Sequence, residues 1–158
     1  MDQLLVTAKL VADRLTARRE TVAVAESSAG GLISTALLAI PGASNYFLGA
    51  VNLYTPSARA ALLDLDPTMR SACLPYALAM ARTVRQRLAA TWGVGETGVT
   101  GPTVNRYGDP IGHCVISVAG PRNHNLILHT HLIDRMANMR AFAHAALQLL
   151  AEQIGEEI

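Results

Sequence analysis

The spacing of apolar residues divides the chain into helical and extended segments. Apolar residues recur at every third or fourth position in four stretches, which predicts amphipathic helices over residues 2–19, 32–40, 70–91 and 136–154. Shorter runs of apolar, β-branched and aromatic residues predict strands over 21–25, 46–54, 111–119 and 125–133, of which 46–54 is apolar enough to be a buried strand. Pro56 suits the first turn of a short helix over 57–63, because a backbone N–H is not needed there.

The order of these segments predicts the fold class. Helices before, between and after the strands favour an α/β protein, a single-domain three-layer α/β/α sandwich with a mixed β-sheet. The last two strands are separated by the turn-forming residues 120–123, so we expect them to pair antiparallel. The 158 residues fit one domain over 1–158, which can bury roughly 68–70% of the surface that the unfolded chain exposes.

Composition limits the possible partners of the protein and its cellular compartment. Hydrophobic residues make up 51% of the chain, charged residues 16%, and the net charge is +1, which argues against nucleic acid as the main partner. Cys73 and Cys114 are too far apart for a metal knuckle and too few for a secreted disulfide framework, which fits a cytoplasmic protein. No apolar run approaches the ~18 residues of a membrane-spanning helix, and no signal peptide is predicted.

A pair of histidines is the one pattern that suggests a metal. His129 and His131 are two residues apart on a predicted strand, so they share a face and could in principle bind a metal together. No third ligand is spaced to join them. We interpret them as exposed histidines of an edge strand, and we predict no metal and no cofactor.

The candidate chemistry lies where the first predicted strand meets the second helix. The strand is followed by Glu26, Ser27 and Ser28, and then by Gly30 and Gly31 before the helical spacing begins. Glycines allow a ligand to approach the backbone closely, and free N–H groups at a helix start favour an anion or a developing oxyanion. Ser27 is therefore a candidate nucleophile, and the alternative is that the two serines only cap the helix.

Two functions remain open on these residues alone. In an enzyme, Ser27 would attack a carbonyl or amide, a base would take its proton, and backbone donors would hold the oxyanion. In a binding module, the same turn would hold an anionic small molecule. The presence of a competent base would distinguish the enzyme from the binding module. Lys9 is the only lysine in the chain. A second glycine-containing segment, residues 97–102, resembles a strand end that turns into either a structural turn or a binding loop.

Several segments resemble one known family. Residues 25–31, AESSAGG, resemble the AES-C/S-T/A-GG motif of the CinA family's C-terminal domain, whose active members are nicotinamide mononucleotide deamidases. Residues 41–47 resemble PG-S-S-x-Y/F-F, residues 54–59 resemble YSNEAK, and residues 97–102 resemble TGIAGP. Residues 110–112 match PVG, and residues 134–135 match the end of GDR. The likeness covers nearly the whole chain and implies the fold of that domain.

The resemblance also implies a set of site residues. The family nucleophile falls on Ser27, and the family's probable base, a lysine, falls on Arg59. The catalytic positions implied are Ser27, Tyr54, Arg59 and Thr97, and the substrate-binding positions are Gly30, Gly31, Gly101 and Arg135.

This chain departs from the family pattern at important positions. A guanidinium stays protonated at neutral pH, so Arg59 cannot accept the serine proton, although it can hold a phosphate or carboxylate. The loop over residues 103–109 keeps the family length with different chemistry, and Asp109 stands at a lysine position. Around Cys73 the helix-capping serine of the family is lost. The larger proteins of the family have a nucleotide-binding domain ahead of this one. This sequence shows no such domain, so we expect a stand-alone version of the C-terminal domain.

The function that the resemblance implies is hydrolysis of the carboxamide of nicotinamide mononucleotide, which gives nicotinic acid mononucleotide and ammonia. The alternative is a degenerate member that binds a nucleotide-like anion without hydrolysis, because Arg59 replaces the lysine. In either case the expected partners are a small nucleotide-like molecule and a second copy in a homodimer, with no nucleic acid and no membrane.

Overall fold

Helices and strands alternate along residues 2–155, the part of the chain that the computed structural model describes. The helices are α1 (Gln3–Arg18), α2 (Leu32–Leu38), α3 (Pro56–Leu63), α4 (Leu74–Arg87) and α5 (Arg135–Gly155). The strands are β1 (Val22–Glu26), β2 (Phe47–Asn52), β3 (Trp92–Gly98), β4 (His113–Ala119) and β5 (His124–His129). A 3₁₀ turn over Ala43–Asn45 precedes β2.

The strands form one mixed sheet in the order β2-β1-β3-β4-β5. The strand β1 pairs in parallel with both β2 and β3, and the pairs β3–β4 and β4–β5 are antiparallel. Because the carboxyl ends of parallel strands meet at one edge of a sheet, the segments that follow β1, β2 and β3 come together there.

Helices cover both faces of the sheet, which confirms the predicted three-layer α/β/α sandwich. Val22 and Val24 of β1 face a core cluster formed with α1, α2 and α5. Ala23 and Ala25 face a smaller cluster formed with α4 and the end of α3. Every residue of β1 is buried, as expected for a central strand with helices on both sides.

The central strand β3 is only partly indicated by its sequence, because glycines interrupt the apolar pattern. An added Cβ would lie 2.1 Å from the carbonyl oxygen of Ala81 at Gly93, and 2.1 Å from that of Ala77 at Gly95. These glycines therefore allow α4 to pack directly on the backbone of β3. A pattern rule that treats glycine as a strand breaker misses this kind of strand.

Two predictions about burial are wrong. The strand β2 is an edge strand, and its residues alternate between half-buried and exposed, so it is not the buried strand that its apolar sequence indicates. The helical spacing also predicts Met136 and Arg140 on the core face of the last helix, but both are exposed, and the buried face of α5 begins at Asn138 and Phe142. The helical spacing therefore misplaces the buried face only in the first turns of α5, and it is right from Ala143 onward, where Leu147, Leu150 and Ile154 are also buried.

Three further observations concern the start of α4, the histidine pair and the length of the helices. The helix α4 begins behind Cys73, which provides no side-chain cap, as the missing serine predicts. His129 ends the edge strand β5, and no cluster of three or more potential metal-binding side chains occurs within residues 2–155. None of the helices in that part of the chain is long and apolar enough to span a membrane.

Candidate active site

Two neighbouring cavities lie at the carboxyl edge of the parallel strands. The first, which we call the serine cavity, has a volume of about 430 Å³. Its lining residues are Ser27, Ser28, Gly30, Asn52, Tyr54, Arg135 and Met139. The second, the loop cavity, has a volume of about 210 Å³ and is formed mainly by residues 98–105. Ser28, Tyr54 and Arg135 line both cavities, so they form the boundary between them.

Arg135 and Tyr54 form a polar contact on this boundary. The guanidinium Nη2 donates a hydrogen bond to the Tyr54 hydroxyl at 3.0 Å, and Nη1 donates to the carbonyl oxygen of Gly101. Both side chains are exposed to solvent. A guanidinium held in this way at the mouth of a cavity suits a phosphate or carboxylate, which accepts its hydrogen bonds in a planar, bidentate arrangement.

Ser27 lies in the serine cavity, as its position in the sequence predicts. It is half-buried, and none of the hydrogen bonds within residues 2–155 involves its Oγ. Its backbone N–H donates to the carboxylate of Glu96 at 3.0 Å. Ser27 thus lines the cavity, and no basic side chain within residues 2–155 forms a hydrogen bond with its hydroxyl.

Two glutamates that the sequence analysis does not assign to the site organise this turn. Glu26 and Glu96 are register partners on β1 and β3, and both side chains are fully buried. The Glu26 carboxylate accepts hydrogen bonds from the backbone N–H groups of Gly31, Ile33 and Ser34 at 3.0–3.1 Å, and from the Ser34 hydroxyl at 2.6 Å. Glu26 therefore caps α2. The alternative that Ser27 and Ser28 cap this helix is wrong.

Glu96 holds the preceding part of the turn. Its Oε2 accepts the N–H groups of Ser27 at 3.0 Å and Ala29 at 2.9 Å, and its Oε1 accepts the hydroxyl of Ser28. Burial raises the pKa of the Glu96 carboxyl, the nearby charge of Glu26 adds to this effect, and the three hydrogen bonds oppose it. The turn is thus built around a carboxylate whose charged form is costly to bury but well hydrogen-bonded.

These carboxylates occupy most of the backbone donors that were expected to face a ligand. The N–H of Ala29 donates to Glu96, that of Gly30 to the Ser27 carbonyl at 3.1 Å, and that of Gly31 to Glu26. Within residues 28–31, only the N–H of Ser28 takes part in none of these hydrogen bonds. The expectation of several free donors at this helix start is wrong, because two buried glutamates need the same hydrogen bonds.

Arg59 does not reach either cavity. It is 5% exposed, its Nη1 donates to the carbonyl oxygen of Met69 at 2.7 Å, and its guanidinium lies 4.2 Å from the ring centroid of Tyr76. Its Nε has no hydrogen-bond partner within the described residues. The family resemblance implies that Arg59 belongs to the same site as Arg135, but the Arg59 side chain turns towards α4 and stacks on an aromatic ring.

Thr97 also lies outside the cavities. Odd-numbered positions of β3 face α4, and the buried Thr97 Oγ1 accepts the backbone N–H of Ala72 at 3.0 Å. Of the glycines with an implied binding role, Gly30 lines the serine cavity and Gly101 the loop cavity, whereas Gly31 is the N-cap residue of α2 and lines neither. The serine cavity thus brings together Ser27, Tyr54 and Arg135. It does not include Arg59 or Thr97.

The loop over residues 103–109 is held by its own side chains and by Arg70. Asn105 accepts the backbone N–H groups of Tyr107 and Asp109, and Asp109 forms an ion pair with Arg70 at 2.6 Å. The guanidinium groups of Arg70 and Arg106 each lie 4.8 Å from the ring centroid of Tyr107. Asp109, which stands at a lysine position of the resembling family, therefore anchors this loop to the segment before α4.

Comparison with known proteins agrees with this architecture. The model of the CinA C-terminal domain matches residues 5–154. A CinA-like protein from Salinibacter ruber is 36% identical over 143 residues, and the aligned region covers 88% of this chain and 35% of the relative. A CinA-like protein from Gloeobacter violaceus is 44% identical over 105 residues, which covers 64% of this chain and 25% of the relative. The chain thus spans about a third or less of these curated relatives.

Solved structures share the fold. The competence damage-inducible protein A (ComA) from Klebsiella pneumoniae superposes with a TM-score of 0.92 at 18% identity, covering 98% of this chain and 99% of that protein. The competence/damage inducible protein CihA from Agrobacterium tumefaciens gives a TM-score of 0.89 at 24% identity, with coverage of 99% and 98%. At these identities the likeness establishes the fold alone.

Proposed function

The chain belongs to the CinA C-terminal domain family, and on this premise we propose that it is a serine amidohydrolase. The proposed reaction is hydrolysis of the carboxamide of nicotinamide mononucleotide to nicotinic acid mononucleotide and ammonia. The observation that carries the proposal is the serine cavity, in which serine hydroxyls and the guanidinium of Arg135 share one space at the carboxyl edge of the sheet.

The chemistry of the lining residues fits the two ends of such a substrate. Arg135 supplies a positive charge and a planar pair of donors for the phosphate. Asn52 and Tyr54 add neutral polar groups to the same lining, and Met139 adds an apolar contact for a ring. A serine of the turn would attack the carboxamide carbon, form an acyl-enzyme and release ammonia, and water would then release the acid. Family resemblance assigns the attack to Ser27.

A second candidate function is binding of a nucleotide-like anion without hydrolysis. One observation favours it: the residue at the family's lysine position, Arg59, is buried against Tyr76 and does not contact Ser27. The residues that line the serine cavity include no lysine, histidine or carboxylate. A protein that has lost its base but kept Arg135 could still recognise the phosphate.

Ammonia release and ligand binding together separate the two candidates. The purified protein is incubated with nicotinamide mononucleotide, ammonia is followed by a coupled assay, and binding is measured by titration calorimetry. The double variant Ser27→Ala, Ser28→Ala removes both serine hydroxyls that line the cavity. Ammonia release that the double variant loses supports the amidohydrolase, whereas binding by both proteins without any ammonia supports the binding module.

A further inference from the structure

The two serines of the turn differ in the partner of their hydroxyl group. The Ser27 Oγ takes part in no hydrogen bond within residues 2–155, whereas the Ser28 Oγ donates to the Oε1 of Glu96. A serine hydroxyl becomes a nucleophile when an adjacent group can accept its proton during attack. Of the two hydroxyls, only that of Ser28 is in contact with a potential base.

We propose that Ser28 is the nucleophile of this protein and that Glu96 is its general base. The proposal rests on the proposed function in one respect, the choice of a carboxamide as substrate. It replaces the base that Arg59 cannot supply, and it assigns the attack to the serine next to the one that family resemblance indicates.

The geometry around Glu96 fixes its carboxylate for this role. Its Oε2 is held by the N–H groups of Ser27 and Ala29, which leaves Oε1 directed at the Ser28 hydroxyl. A carboxylate held on one oxygen by two backbone donors cannot rotate away from its partner without breaking both bonds. This is the positioning that general-base catalysis requires.

The surroundings of Glu96 favour proton acceptance. The titratable groups that face it are Glu26 on β1 and Cys114 on β4, whose Sγ lies 3.7 Å from Oε1, and the charge of Glu96 also acts on Tyr76 of α4, on the opposite face of the sheet. Among the residues that the structure describes, no lysine, arginine or histidine pairs with its carboxylate. Burial raises the pKa of the Glu96 carboxyl, so its ionised form is a stronger base than an exposed glutamate.

Ser28 also has access to both cavities. It lines the serine cavity and the loop cavity, although only 6% of its surface is exposed, and Arg135 and Tyr54 line the same two spaces. Its own backbone N–H is the donor that remains unoccupied within residues 28–31. A carbonyl oxygen of a substrate attacked by Ser28 would therefore find a donor beside the new bond.

The proposed step balances without any further reactant than water. The Ser28 Oγ forms a bond to the carboxamide carbon, its proton passes to Glu96 Oε1, and the carbonyl π electrons move to the oxygen. As the tetrahedral intermediate collapses, the C–N bond breaks and Glu96 gives the proton to the departing nitrogen, which leaves as ammonia. Water then attacks the acyl group while Glu96 accepts its proton, and that proton returns to Ser28 as the acid leaves.

A second serine–glutamate pair provides a matched control. The Ser34 hydroxyl donates to Glu26 at 2.6 Å at the same helix start, but Ser34 lines neither cavity. The kinetic test compares Ser28→Ala, Ser27→Ala, Glu96→Gln and Ser34→Ala in the ammonia assay. We expect Glu96→Gln to lower kcat by about 10²–10⁴-fold, the usual contribution of a general base, and Ser28→Ala to lower it at least as much. Ser34→Ala should match the wild type, and Ser27→Ala should lower kcat much less than Ser28→Ala.

A covalent probe tests the pair without relying on the nicotinamide substrate. A fluorophosphonate phosphonylates a nucleophilic serine with loss of fluoride, and peptide mass spectrometry locates the adduct. We expect the adduct on Ser28 in the wild type and in Ser34→Ala, and a much slower reaction in Glu96→Gln. Circular dichroism identifies any variant that does not fold. If Glu96→Gln fails to fold, the site of the adduct in the wild type still shows which serine is the nucleophile.

The outcomes separate the two proposals. An adduct on Ser28 without turnover of nicotinamide mononucleotide supports the pair and contradicts the proposed substrate. Turnover that is lost in Ser27→Ala but kept in Ser28→Ala supports the amidohydrolase and overturns the pair. An adduct on Ser27, or on neither serine, also overturns it.

Discussion

Glu26 and Glu96 lie side by side at the ends of neighbouring parallel strands, and both carboxyl groups are fully buried. Each one accepts backbone N–H groups from the segment that links β1 to α2, and each one accepts a serine hydroxyl. The pair therefore determines the shape of the segment over residues 27–31, which links β1 to α2. It also places two acidic groups where water cannot stabilise their charge, which has consequences for stability and catalysis.

The first prediction concerns pH. Because burial raises the folded-state pKa of Glu96 above ~4.3, the value for an unperturbed glutamate, the folded protein binds more protons than the unfolded chain. This contribution to stability is fully present below the unfolded pKa and is lost as pH rises through the folded pKa. The free energy of unfolding of the wild type minus that of Glu96→Gln should thus decrease as pH rises.

Urea unfolding of both proteins at several pH values from acidic to neutral checks this prediction. The difference between them cancels the titration of groups that the substitution does not affect. A difference that is constant with pH would show that the hydrogen bonds to Glu96 balance its burial, and one that increases towards neutral pH would show that they outweigh it.

The second prediction concerns the phosphate contact. Arg135→Ala should weaken the binding of nicotinamide mononucleotide by about 1.5–3 kcal/mol, the range for hydrogen bonds to charged groups. Arg140→Ala removes the same charge from an exposed position of the same helix that lines neither cavity, so it serves as the control. Calorimetry that gives equal affinities for Arg135→Ala and Arg140→Ala would remove Arg135 from the binding site.

The third prediction concerns Arg59. Family resemblance suggests that Arg59→Lys should restore a base, but the side chain stacks on Tyr76 and bonds to the Met69 carbonyl, away from both cavities. We expect Arg59→Lys to leave kcat unchanged. Arg59→Ala should lower the free energy of unfolding by about 1.5–3 kcal/mol, since a hydrogen bond from a charged group is lost. A marked rise in ammonia release by Arg59→Lys would contradict this placement.

The fourth prediction concerns the packing of α4 on β3. A Cβ at Gly95 would lie 2.1 Å from the carbonyl oxygen of Ala77 and 2.8 Å from the backbone nitrogen of Ala81, so neither neighbour can move as a flexible side chain would. Gly95→Ala should lower the free energy of unfolding by at least about 1–3 kcal/mol, the usual cost of overpacking. A thermal unfolding midpoint equal to that of the wild type would show that α4 shifts freely.

The alternation of helical and extended patterns is enough to predict the layers and the mixed sheet. It does not predict β3 fully. Gly93 and Gly95 are needed there because α4 packs directly on the strand backbone, and glycine is not a residue that indicates a strand. The family resemblance groups Ser27, Tyr54 and Arg135, and the structure places all three on one cavity. The resemblance fails for Arg59, since the direction of a side chain depends on what it packs against, here Tyr76.

Glu96 is the site residue that is hardest to identify from the sequence. A single glutamate among glycines and small residues reads as a polar position, and its burial becomes evident only when β3 is placed in the centre of the sheet. A cue does exist in Glu26, which directly follows an apolar strand and matches Glu96 in register. That cue requires knowing which strands are neighbours.

The most direct test of the account is the fate of nicotinamide mononucleotide incubated with the wild-type protein in water enriched in oxygen-18. Hydrolysis through an acyl-enzyme predicts nicotinic acid mononucleotide whose new carboxylate carries one oxygen from the solvent, together with an equal amount of ammonia. The double variant Ser27→Ala, Ser28→Ala should form neither product. Recovery of the intact carboxamide from the wild-type protein, under conditions in which calorimetry shows it to be bound, would contradict the proposed hydrolysis.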